Sequence, residues 1–138
     1  MILSRSKQYA LLALIDLASR PPAEYVLSRD IAARIKLPHA YLSKLLQTLA
    51  HSGLVESVRG RRGGFRLARP AGRISVREVM NLMDGGREER ECLLGLKACR
   101  DEDACALHCQ WRPVKEGLID LLERETLGHL AGESGAGA

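Results

Sequence analysis

Every cysteine in the chain falls in one stretch, CLLGLKACRDEDACALHC, running from Cys92 to Cys109. Cys92, Cys99 and Cys105 are followed by His108 and then Cys109, in the pattern C-x6-C-x5-C-x2-H-C. Thiolates and an imidazole at that density suit a soft metal, either zinc or an iron–sulfur cluster. Structural zinc usually takes paired knuckles about two to four residues apart, and this segment has none. The tight C-x2-C-x2-C run of a bacterial ferredoxin is also absent. Disulfides would suit an exported chain. With no export signal in view, metal binding or thiol redox chemistry in a cytoplasmic protein is expected. Spacing leaves two choices open: cluster, zinc or redox thiols, and His108 or Cys109 as the fourth donor. If residues 105–109 form a helical turn, both candidates lie near the face of Cys105.

A second chemistry sits in the other half of the chain. Residues 1–75 hold 13 Lys and Arg against 4 Asp and Glu, while residues 76–138 hold 8 against 13. A basic half joined to an acidic half implies one face that meets a polyanion. The basic charge is concentrated in SVRGRRGGFRLARP, where Arg59, Arg61, Arg62 and Arg66 surround Gly60, Gly63 and Gly64. Like charges so placed repel unless a partner neutralises them. Arginine suits a narrow, electronegative minor groove, and glycine lets backbone approach closely.

Certain elements must carry these groups. Apolar spacing predicts an amphipathic helix over 5–20, ended by RPPAEY, since two prolines cannot continue it. Its run YALLALIDLA is broken by Asp16 and is too short to span a membrane. Ser28 is the expected N-cap of a second helix, SRDIAARIKL, and Pro38 separates it from a third, HAYLSKLLQTLAHSG. LVESV and FRLA read as two strands around RGRRGG, a hairpin with a basic tip. Ser75 and Glu78 make a capping-box pattern before a fourth helix. After the cysteine segment, WRPVKEGLIDLLERETLGHL carries an apolar stripe and reads as one long helix. The expected fold is therefore mainly α with a small β-wing. Its parts are a winged helix-turn-helix over 1–85, a cysteine-rich loop over 86–110, a dimerisation helix over 111–131 and a disordered tail over 132–138.

Two short helices split by a turn, then a basic hairpin, describe a module for double-stranded DNA. A helix fits the major groove and its first turn reaches base edges. Here that turn offers His39, Ala40, Tyr41, Ser43 and Lys44, and the wing offers Arg59, Gly60, Arg61, Arg62 and Arg66. The sequence holds no Ser/His/Asp constellation, nucleotide loop or carboxylate pair at catalytic spacing, so neither an enzyme nor a small-molecule substrate is expected.

SKQYALLALIDLA, DIAARIKLPHAYLSKLLQTLAHSGLV, the wing, ISVREVMNLMDG and LIDLLERETLGHLA together resemble the Rrf-type winged-helix transcription regulators, the family of IscR, NsrR and RirA. The resemblance covers all but the tail and is closest in pattern to the IscR type. It implies a homodimer on palindromic promoter DNA, with Leu118, Leu121 and Leu122 in the subunit seam. It also implies an iron–sulfur cluster on Cys92, Cys99, Cys105 and His108, with Cys109 as the alternative. Family members of the NsrR type take an Asp near position 8, where this chain has Gln8. That difference favours a [2Fe–2S] over a [4Fe–4S] cluster. Repression of cluster-assembly, iron or stress-response genes is implied by the same resemblance. The rival readings are a zinc-bound or thiol-based redox regulator on the same fold, and a cluster carrier that does not bind DNA.

Overall fold

Ser4 opens the first helix: its hydroxyl accepts the Lys7 backbone N–H at 3.3 Å, satisfying a donor that a helix start leaves unpaired. The computed structural model describes residues 3–61, 63–91 and 106–137, with side chains up to 132, and carries this helix, α1, over Arg5–Ala18. It ends short of residue 20 because Pro21 disfavours helical backbone just before itself. Both oxygens of Asp16 take Arg34, through Nε and Nη2 at 2.8 Å each, and fasten α1 to α2 (Ser28–Ile35).

Ser28 is not the N-cap expected from the sequence. Leu27 holds that position and Ser28 is the first helical residue. Its hydroxyl is drawn 2.7 Å from His39 instead, so a tertiary contact takes the group that would have capped its own helix. Lys36 turns the chain in left-handed backbone (φ 59°, ψ 48°), and α3 follows over His39–His51. Leu42, Leu45, Leu46 and Leu49 face inward along α3, and all are buried.

The wing is an antiparallel pair, β1 (Val55–Val58) and β2 (Gly64–Leu67), in register from Val55 opposite Leu67 to Val58 opposite Gly64. Val26 adds a bridge that local pattern does not reveal: it and Phe65 exchange both backbone bonds at 2.8 Å. Gly64 makes this approach possible. Its φ is +136°, and a Cβ there would sit 2.4 Å from the Val26 carbonyl oxygen.

A short 3-10 turn, Ala71–Arg73, leads to α4 (Val76–Asp84). Ser75 caps α4 as expected, accepting the Glu78 N–H at 3.1 Å, but the Glu78 carboxylate pairs with Arg69 rather than closing a capping box. One further turn, α5, spans Arg87–Arg90.

The C-terminal segment is two helices, not one. α6 covers His108–Arg124 and α7 covers Leu127–Gly137. The break is a strand-like bridge between Thr126 and Ser75: the Val76 N–H reaches Glu125 O and the Leu127 N–H reaches Ile74 O, each at 2.9 Å. Thr126 then caps α7, its Oγ1 accepting the His129 N–H at 3.1 Å. α7 continues to Gly137. Leu127 and Ala131 are buried and dock α7, and propagation from a docked turn needs no new nucleus.

The core is aliphatic, as the scarcity of aromatics requires. Leu14, Ile31, Leu46, Leu54, Ile74 and Val79 are fully buried in it. α1 is its centre, packing against α2, α3, α4, α7 and β2. The fold is thus mainly α with a two-stranded wing. No helix among the described residues is long and apolar enough to cross a membrane.

Candidate nucleic-acid interface and cysteine segment

Pro38 precedes α3 and supplies no side-chain cap, so the first N–H groups of α3 stay available to an anion, at the positive end of the helix dipole. His39 and Ser43, both expected as base contacts, are brought together with Ser28. The His39 Nε2 lies 2.7 Å from the Ser28 hydroxyl and 3.1 Å from that of Ser43, which also donates to Ser28 at 3.3 Å. Ala40 and Lys44 are exposed on the same turn. Tyr41 is half-exposed: its hydroxyl lies 3.3 Å from the Ser6 hydroxyl and its ring meets Tyr9 edge-on, centroids 5.7 Å apart. It therefore ties α3 to α1.

The sequence reading missed Gln47. It is exposed one turn beyond Ser43 and lines the concave surface between α3 and the wing, with His51, Ser57 and Arg59. The available signal was its i+4 spacing from Ser43 and an amide suited to bidentate contact with adenine.

At the wing tip the Gly63 N–H closes the turn on Gly60 O at 3.0 Å, and Arg59, Gly60 and Arg61 are exposed. Arg62 lies outside the described residues. Arg59 and Arg61 make no ion pair among the described residues. Arg66 behaves differently. Its Nε donates to Glu56, directly across the strands, at 2.9 Å, and its guanidinium covers the Tyr25 ring at 4.4 Å. Its charge is already partly answered within the chain.

Cys92, Cys99 and Cys105 lie outside the described residues, so their proposed shared site is not described. The two candidates for the fourth donor differ sharply. His108 is buried at the start of α6, and Cys109 is an exposed free thiol. Neighbours on a helix point about 100° apart, which accounts for the difference in their exposure. Among the described residues, no group of three or more His, Cys, Asp or Glu is arranged to hold a metal.

The approach to this segment holds a network that the sequence reading also missed. Lys7 is 4% exposed, with Nζ 2.6 Å from Asp84 and 3.1 Å from Glu88. Asp84 also accepts the N–H groups of Gly86 at 2.9 Å and Glu88 at 3.1 Å. Burial alone would push the Asp84 carboxyl up, but the Lys7 hydrogen bond and these backbone donors outweigh it and hold it below its ordinary value. The signal was present in α1: Lys7 falls on the helical stripe of Ala10, Leu14 and Leu17.

Leu107, which caps the start of α6, and Val114 and Leu121 on it are 40%, 59% and 43% exposed. They recur every seventh residue, with the partly buried Trp111 and Leu118 between them. That is the a/d pattern of a helix seam. Leu122, expected in the seam, is turned into the chain's own core instead.

A helix pair, a first turn with free backbone donors and an exposed basic wing define a winged-helix DNA-binding regulator. The chain belongs to the Rrf2 family, described as iron-dependent transcriptional regulators, whose model matches residues 3–133. It is 36% identical over 130 residues to the HTH-type transcriptional regulator IscR of Citrobacter koseri, covering 94% of this chain and 79% of that protein. Among solved structures, IscR of T. potens superposes with a TM-score of 0.76 at 29% identity, over 97% of this chain and 88% of the other. The oxidized form of Staphylococcus aureus CymR superposes with a TM-score of 0.74 at 29% identity, over 95% and 96%. The protein is a transcription regulator and not an enzyme.

Proposed function

We propose that this regulator binds palindromic promoter DNA as a homodimer and that its cysteine segment holds an iron–sulfur cluster on Cys92, Cys99, Cys105 and His108. The observation that carries the DNA half is an uncapped α3 start beside a concave surface lined by Gln47 and Arg59, with Lys44 exposed on α3 and Arg61 exposed at the wing tip. Lysine and arginine neutralise phosphate, and glutamine reads adenine. The exposed heptad of α6 supports the homodimer, because an apolar seam of that period pairs with a copy of itself.

Three features support the cluster. They are the family description, the IscR relatives, and a soft donor set that lacks zinc spacing. When bound, such a cluster supplies a group whose loss or oxidation reports iron and oxidants. His108 is favoured as fourth donor because it faces the protein, whereas Cys109 faces solvent. Gln8 is exposed, and its amide donates to the Leu3 carbonyl at 3.1 Å. An amide is a poor iron ligand, which favours the [2Fe–2S] form.

The chain's own residues offer a route from this segment to DNA. The Lys7 network joins α1 to the start of the segment, and Ser6 and Tyr9, its near neighbours on α1, hold Tyr41 of α3. A rearrangement near Glu88 therefore shifts the recognition helix through α1.

Selection from a pool of random duplexes tests the DNA half. Enrichment of a two-fold symmetric site is expected, and no enrichment over non-specific binding would reject it. A thiol-based regulator is the second reading, favoured by the exposed Cys109 and by the solved oxidized form of CymR.

A further inference from the structure

Arg20, in the bend after α1, lacks a committed acceptor. Its Nη2 lies 3.7 Å from an Asp16 oxygen, but both oxygens of that carboxylate already hold Arg34 at 2.8 Å. The Arg20 Nε is shielded from solvent with no hydrogen-bond partner among the described residues. The side chain is 39% exposed, so its Nη groups are the part a ligand can reach. It stands at the wall of a cavity of about 360 Å³ between the end of α1 and the base of the wing. Leu17, Ala18 and Pro21 form one side and Leu67, Ala68 and Pro70 the other. That volume lies at the small end of ligand cavities, roughly 300–1,000 Å³.

The charged rim has a definite balance. Arg20, Arg66 and Arg69 face Glu24 and Glu56 there. Glu56 is taken by Arg66, and Arg69 pairs with Glu78. Glu24 acts electrostatically on Arg34, which leaves Arg20, held only at 3.7 Å by Asp16, as the rim cation without a close partner among the described residues, beside apolar walls. We propose that this cavity binds a small organic carboxylate, with its apolar body between α1 and β2 and its carboxylate on Arg20. The site is remote in sequence from the cysteine segment and does not rest on the cluster. Because Arg66 and Leu67 of β2 form part of it, the bound molecule would lie against the wing.

The test uses the full chain without DNA, with phenylacetate as probe and benzyl alcohol as its uncharged counterpart. Binding is followed by saturation-transfer NMR and calorimetry. Saturable binding of phenylacetate, at least about tenfold tighter than benzyl alcohol, is expected. Arg20→Gln should weaken it about tenfold or more, and Ala18→Leu, which fills the wall, should abolish it. Arg61→Ala at the wing tip should leave it unchanged. Circular dichroism melts confirm that each variant is folded, and Arg20→Lys, which keeps the charge, should restore part of the affinity. Equal binding of acid and alcohol, no saturable binding of either, or full affinity in folded Arg20→Gln would each overturn the proposal. None of these outcomes depends on whether the protein carries a cluster or recognises an operator.

Discussion

Single side chains separate the roles that composition merges. Arg59 and Arg61 are exposed, whereas Arg66 is engaged by Glu56 and Tyr25. Replacing Arg59 or Arg61 with alanine should therefore lower the slope of log K against log salt by about 0.9 each. Arg66→Ala should change that slope less while loosening the wing. Equal slopes for all three variants would remove the distinction. Lys7 makes a different kind of prediction. Lys7→Met leaves two largely buried carboxylates without their cation, and should cost about 3–5 kcal/mol in denaturant unfolding. Asp84 is held below its ordinary value of 3.8. Its contribution is thus full above that pH and is lost as pH falls through the lower value of the folded state. The stability gap between the wild type and Asp84→Asn should narrow on acidification below about pH 4. A gap that widens would reverse the sign assigned to the pair.

At the level of elements, α1, α3, the wing strands and α4 were readable because each depends on local period or local capping. Leu42, Leu45, Leu46 and Leu49 show the helical spacing outright, and Ser75 caps where it was expected. What escaped the sequence was set by partners distant in the chain. Ser28 is diverted by His39, the last helix is broken by Ser75 meeting Thr126, and Val26 is captured by Phe65. The site shows the same division: the basic tip was plain in the sequence, while the pairing of Arg66 was not. Lys36, in left-handed backbone between α2 and α3, carries a steric cost that glycine would avoid. Lys36→Gly should therefore stabilise the fold by about 1 kcal/mol in urea melts. A destabilised variant would mean that the Lys36 side chain does more than turn the chain.

For the molecule as a whole, α6 presents two faces with different duties. Leu122 faces the chain's own core, so Leu122→Ala should lower stability by about 2–5 kcal/mol. Val114 and Leu121 face outward in the heptad. Val114→Glu with Leu121→Glu should leave a folded monomer by sedimentation, since the charges enter the proposed seam and not a core. A folded dimer from that variant would place the interface elsewhere. The cysteine segment of this DNA-binding regulator is proposed to carry an iron–sulfur cluster. Iron and acid-labile sulfide analysis of protein purified without oxygen tests it most directly, on the wild type and on His108→Ala and Cys109→Ala. The prediction is a coloured wild type with about two irons and two sulfides per chain, lost or spectrally shifted in His108→Ala and unchanged in Cys109→Ala. A colourless protein holding zinc, or no metal at all, would contradict it.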